Sequence, residues 1–256
     1  MNFSKHYKAF LESHSILLKS VIPGCEIFDY QPIAPPKASQ IRSFETKKLG
    51  YLAEDFFEKY LADSSRYAPI RRNIQIIEQG ITLGELDFII EDLPSGNLIH
   101  LELAFKFYLW NPQLGTEFCA WIGPNNKDRL DLKLEHFKTR QIPLGHKQYP
   151  ELISQFLILG QLYLPWKTDF PFSKTLNPSS LSGFWIKEKD LSTLAAYKFY
   201  YVDKLDWFLK PEINVNWKSY EQITALVNEK MNNNKSTLFW IKSPEGNLNK
   251  LFVVWW

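Results

Sequence analysis

The chain has 256 residues, 45% of them hydrophobic and 16% aromatic, with no low-complexity tract. That is enough for one large folded domain or two small ones, and it excludes a disordered or fibrous protein. Thirty Lys and Arg against 28 Asp and Glu leave a formal net charge of +2, which excludes a protein that coats nucleic acid by bulk charge alone.

Residues 5–19 read as a helix with Tyr7, Phe10, Leu11, Leu17 and Leu18 as its apolar positions. Pro32, Pro35 and Pro36 mark an extended connector. Residues 45–62 form the next helix: Leu49, Leu52, Phe56 and Tyr60 recur at helical spacing, while Glu54 and Glu58 lie one turn apart on another face. Residues 72–79 and 84–90 read as strands, Pro94-Ser95-Gly96-Asn97 as a turn, and 98–109 as a long, mostly apolar strand in a central position. Residues 128–141 are amphipathic, with Leu130, Leu134, Phe137 and Gln141 on one side and Arg129, Lys133, His136 and Arg140 on another. Residues 150–164 continue the core as a strand with a flanking helix. The fold class is α/β, a mixed central sheet flanked by helices.

The second half carries a loop at 177–180, strand-like aromatic runs at 184–186 and 199–202, a helix over 217–231, a polar loop at 232–235 and a terminal strand at 251–256. The expected organisation is an N-terminal helix and connector (1–44), an α/β core (45–165) and a C-terminal α+β extension packed on it (166–256). The longest apolar stretch, 156–164, is about half of what a membrane span requires. The N-terminus leads into no signal-peptide core. Cys25 and Cys119 are too far apart in sequence to suggest a disulfide framework or a zinc cluster. A soluble, cytoplasmic protein with no membrane partner is the expectation.

Charge is unevenly placed. Between Arg72 and Lys106 there is no cation, but there are Glu78, Glu85, Asp87, Glu91, Asp92 and Glu102, and both flanks are rich in Lys and Arg. Side chains alternate along a strand, so Glu85 and Asp87 share a face, as do His100, Glu102, Ala104, Lys106 and Tyr108. If the two strands pair with matching faces, Asp87 and Glu102 can hold one divalent ion. Mg²⁺ (or Mn²⁺) takes oxygen ligands and keeps several waters, so few protein contacts suffice. Lys106 then positions the attacking water or stabilises developing negative charge. The plainer reading is a hairpin with solvated acids and a snorkelling lysine. Glu54 reads equally as a further ligand or water-holder and as a solvated helix face. Lys133 and Arg140 are candidate phosphate contacts, and Gln141 either faces the site or caps its helix.

The acids and lysine of these strands resemble the signature of the PD-(D/E)XK nuclease superfamily. A fuller resemblance is to domain-of-unknown-function family 1853. It rests on residues 83–88 (LGELDF), 102–109 (ELAFKFYL), 123–125 (GPN), 128–134 (DRLDLKL), 176–178 (LNP) and 183–185 (GFW). The resemblance implies a restriction-endonuclease-like core with a C-terminal α+β elaboration. It implies Asp87 and Glu102 as metal-binding acids, Glu54 as the helix glutamate, and nucleic acid as partner. The chain departs from the superfamily pattern where lysine usually follows the glutamate by two residues. Ala104 stands there, and Lys106 lies about 6.6 Å further along the same face. The leading expectation is a Mg²⁺-dependent DNA or RNA phosphodiesterase, with a catalytically inactive module that binds nucleic acid or a protein partner as the alternative. A third is an interaction protein using exposed aromatics such as Trp255 and Trp256.

Overall fold

The computed structural model describes residues 2–31, 33–34, 48–115, 117–170 and 173–256. Pro32, Pro35 and Pro36 of the predicted connector, and residues 45–47 of the predicted helix, lie outside the described residues. In chain order the elements are α1 (Phe3–Leu11), β1 (His14–Ser15), β2 (Glu26–Ile27), α2 (Leu49–Asp63), β3 (Tyr67–Glu78), β4 (Ile81–Asp92), β5 (Asn97–Trp110) and β6 (Trp121–Ile122). There follow α3 (Leu130–His136), α4 (Ile142–Gln148), β7 (Ile153–Pro165), β8 (Leu181–Lys187), β9 (Lys198–Val202), α5 (Tyr220–Asn232), β10 (Thr237–Lys242) and β11 (Leu248–Val254). The chain divides into two compact units. The first is Met1–Lys106, Leu132–Gly160 and Phe172–Asn177; the second is Phe107–Asp131, Gln161–Pro171 and Pro178–Trp256.

In the first unit the sheet runs β3-β4-β5-β7, with β1 antiparallel and β2 parallel on β7. Parallel and antiparallel neighbours occur together, so the sheet is mixed, as the sequence predicts. β3 and β4 are joined by Gln79 and Gly80, at φ 50° and 79°, the left-handed backbone of a two-residue hairpin turn that glycine adopts without steric cost. β5 is buried along most of its length, as a central strand is. Phe105 of β5 packs 6.1 Å from Phe10 of α1, which in turn meets Phe56 of α2 at 5.7 Å. Phe57 of α2 meets Phe88 of β4 edge-on at 5.2 Å. Ile74, Ile76, Leu86, Ile89 and Leu152 form a further buried cluster, with Leu144 of α4 against it.

The predicted helix over 5–19 ends early, at Leu11. Ser13, His14 and Ser15 interrupt the apolar spacing, and serine hydroxyls compete for backbone groups. The Ser15 hydroxyl accepts the Leu17 N–H at 3.3 Å, and Ile16 and Leu17 are buried in extended rather than helical form. The predicted strand at 72–79 begins earlier, at Tyr67, because a register shift after Pro69 lets an edge strand absorb the missing N–H.

In the second unit the end of β7 pairs parallel with β8, β8 parallel with β11, β11 antiparallel with β10, and β10 antiparallel with β9. The helix predicted over 217–231 begins at Tyr220, because Ser219 and Gln222 form a reciprocal capping box. Its Ile223 and Val227 pack with Phe239, Ile241, Leu251 and Val253. Trp256 is half-buried rather than free: its indole N–H donates to the Pro124 carbonyl at 3.0 Å and its ring lies 5.3 Å from that of Trp185. No helix among the described residues is long and apolar enough to cross a membrane.

Gly160 marks where β7 comes closest to β5, since a Cβ there would strike the Lys106 carbonyl. Gly160→Ala is expected to lower unfolding free energy by about 1–3 kcal/mol in urea titration. Wild-type stability in that variant would mean the strands are not so closely apposed.

Candidate functional site

The ladder between β4 and β5 runs from Asp92 opposite Asn97 to Phe88 opposite Leu101. The next pair in register is Asp87 opposite Glu102, and there a side chain takes over from the backbone. Asp87 Oδ2 accepts the Leu103 N–H at 2.8 Å, satisfying a donor that a buried strand cannot leave unpaired. Asp87 also faces a cavity of 720 Å³ lined by Glu85, His136, Arg140, Gln141 and Lys147, with Leu83, Pro143 and Leu144 as its apolar wall.

Glu102 is fully buried, at 0% exposure. One carboxylate oxygen accepts from His100 Nε2 at 2.8 Å, and the other accepts from the Gln141 amide. Burial pulls the His100 imidazole down to about 4, so at neutral pH it is an uncharged ring donating its Nε2–H. Its Nδ1 lies 3.5 Å from the Ser154 hydroxyl. Gly145 of α4 covers the ring so closely that a Cβ there would run into it.

Periodicity sets Gln141 apart from Lys133 and His136, and the structure corrects this. Between α3 and α4, residues Phe137–Gln141 form a π-helical turn. Its wider winding brings residues five apart onto one side. Gln141 Oε1 therefore accepts from both His136 Nδ1, at 2.9 Å, and Lys133 Nζ, at 3.1 Å. Lys133 Nζ also lies 3.8 Å from the centre of the Phe137 ring.

Burial raises both Asp87 and Glu102 well above ordinary carboxylates. The charge of Glu102 adds to the rise at Asp87, and Lys133 opposes it at both. Glu54, half-buried on α2, is pushed up to about 7, chiefly by burial and next by Asp87, with Arg72 opposing. Arg72 itself is shared with Asp55 at 3.0 Å and Glu58 at 2.5 Å. Of the residues predicted for the site, Asp87, Glu102, Glu54, Lys133 and Gln141 are linked by these bonds and charges. Arg140 is exposed at the cavity rim. Lys106 is half-buried on β5 and is not among the residues lining the cavity. His100 was legible only as a same-face neighbour of Glu102, two residues away, and the π turn left no periodic signal.

Among the described residues, no group of three or more His, Cys, Asp or Glu side chains is arranged to hold a metal ion. The oxygens of Asp87 and Glu102, with Glu54 near, are still the donors that Mg²⁺ or Mn²⁺ takes when water completes its coordination. Burial is the chief cause of their raised proton affinities, and a dication in place of the protons would offset the same cost of ionisation. The donor set suits a hard ion and not zinc.

The family model "Domain of unknown function (DUF1853)" matches residues 28–254, a span that contains every residue of this site, and the chain belongs to that family. No curated protein and no solved structure matches it.

The acids give a pH signature. Their folded-state values lie above the unfolded ones, so the folded protein holds protons that the unfolded chain has released, and stability falls as pH rises through the folded values. His100 acts oppositely, but its contribution is complete above about 6.5. Without divalent ions, the melting temperature is therefore expected to decline between about pH 6.5 and 8.5, and Asp87→Asn to flatten that decline. Equal slopes in wild type and variant would remove the assignment.

Proposed function

We propose that the chain is a Mg²⁺- or Mn²⁺-dependent phosphodiesterase acting on DNA or RNA, built on a restriction-endonuclease-like core. One observation carries the reading. Asp87 and Glu102 form a buried carboxyl pair whose proton affinity burial raises, and Asp87 faces a cavity whose rim presents Arg140 and Lys147.

In this reading Asp87 and Glu102 bind the cation. When bound, it supplies charge stabilisation at the scissile phosphate and lowers the pKa of a coordinated water. Glu54, near half-ionised at neutral pH, would serve as the group that orients the attacking water and takes up its proton. Lys133, whose charge acts on both carboxylates, offsets negative charge developing on the phosphate, and Gln141 holds its ammonium in place. Lys106 is the second candidate for that role, from the strand. Arg140 contacts a neighbouring phosphate, joined by Lys147, which is shared with Glu78 at 2.5 Å.

A second reading is a non-catalytic module that binds nucleic acid or a protein. Two features favour it: Ala104 at the usual lysine position, and a Glu102 whose two oxygens already accept from His100 and Gln141.

The test is calorimetric titration with Mn²⁺, followed by cleavage assays on DNA and RNA with Mg²⁺ or Mn²⁺. Wild type is expected to bind metal and cut, and Asp87→Asn and Glu102→Gln to lose at least about 100-fold of the activity while remaining folded. Lys133→Ala should lose about 100-fold and Lys106→Ala much less. Cleavage that survives both acid substitutions would remove this mechanism. Metal or nucleic-acid binding without cleavage of any substrate would select the second reading.

A further inference from the structure

The second unit holds its own cavity, of 300 Å³, which shares no lining residue with the one beside Asp87. Three lysines reach it from three separate places: Lys204 after β9, Lys230 near the end of α5, and Lys235 just before β10. Two of them are placed by aromatic rings. Lys204 Nζ lies 5.9 Å from the centre of the Trp207 ring, and Lys230 Nζ 5.8 Å from that of Tyr201. Such contacts hold an ammonium in position without neutralising it.

Trp207 is a rigid wall. Its indole N–H donates to the Val202 carbonyl at 3.2 Å, and its ring meets Phe252 edge-on at 4.9 Å and Phe107 at 5.3 Å. The approach to Lys235 is fixed as well. Asn234 takes a left-handed φ of 52°, and the Lys235 N–H turns back to the Lys230 carbonyl at 2.9 Å.

Nearby acids do not balance this charge. Glu229 lies 3.4 Å from Lys230 Nζ, and Asp203 acts on the Tyr201 hydroxyl. Lys204 and Lys235 form no ion pair among the described residues. Ammonium groups gathered around one cavity repel each other unless an anion joins them. Several of them together suit a multiply charged oxyanion better than a single carboxylate. The faces of Tyr201 and Trp207 add apolar surface for an organic body, and the volume is at the small end for a ligand site.

We infer that this cavity binds a small phosphorylated ligand of about mononucleotide size, its phosphate held by Lys204, Lys230 and Lys235. The inference is independent of the phosphodiesterase reading.

Calorimetry at fixed ionic strength with AMP, adenosine and inorganic phosphate as probes tests it on the full chain. Wild type is expected to bind AMP saturably and adenosine not at all. The double variant Lys204→Ala/Lys235→Ala should weaken AMP binding at least about 10-fold. Both lysines are exposed, so folding should persist, as circular dichroism checks. Lys204→Arg/Lys235→Arg, which keeps the charge, should restore most of the affinity. Asp87→Asn should bind AMP as wild type does. No saturable binding of AMP or phosphate by wild type would overturn the inference. So would equal binding of adenosine and AMP, or undiminished binding in the double alanine variant. Phosphate binding as tightly as AMP would uphold the anion site and overturn the role of the aromatic walls.

Discussion

A carboxylate in the middle of a buried strand is unfavourable unless its oxygens are met, and much of the first unit's arrangement follows from meeting those of Glu102. His100 supplies one donor from the same strand and Gln141 the other from across the sheet face. Each donor then imposes a condition on its neighbours. The imidazole needs a helix that can come close, which Gly145 permits. The amide needs its own oxygen satisfied, which Lys133 and His136 do. Neutral groups thus meet both oxygens, and the opposing positive field comes from Lys133 on α3, ahead of the π turn.

The strands that carry the site were legible because their chemistry follows a period of two. Apolar residues around Asp87 and Glu102 announced two strands, and parity gave the residues that share a face within each; the register that sets Asp87 opposite Glu102 comes from the structure. The helix carrying Glu54 was legible from Leu49, Leu52, Phe56 and Tyr60, all of them buried. The environment of Glu54 was not, because exposure depends on what packs opposite, and the sequence alone leaves both options open. The end of α1 was missed because Leu17 fits a helical spacing that the serines before it do not allow.

Gln141 shows a different limit. Its partners follow from an extra residue in one helical turn, and periodicity arguments assume that no such residue exists. Lys106 and Lys133 show a third. Strand parity puts Lys106 on the face of Glu102, yet a long side chain on a neighbouring helix can deliver its charge to the same carboxylate. In the second unit the aromatic runs marked strands correctly. The placing of β11 between β8 and β10 could not follow from them, because local pattern carries no pairing order.

The second unit handles a buried charge by similar means with the sign reversed. Lys250, only 2% exposed on β11, donates to the Gln161 amide oxygen and the Trp207 carbonyl, both at 2.8 Å. Burial draws it down to about 7. Gln161 in turn accepts from Tyr163 and donates to the Phe208 carbonyl, so its amide is used at both ends. Amides serve both units as adapters between a charge and uncharged surroundings.

The π turn also bears on which changes of length this chain tolerates. Exposed positions within it, such as Lys138 and Thr139, can be exchanged for other residues with little effect on what lies beneath. Removing one residue would regularise the helix and rotate everything beyond it by about 100°. Gly145 would leave the imidazole, and a larger side chain would arrive in its place. In this segment an alignment gap is therefore more disruptive than a substitution, and a family member lacking one residue here must have rebuilt the surroundings of its buried glutamate.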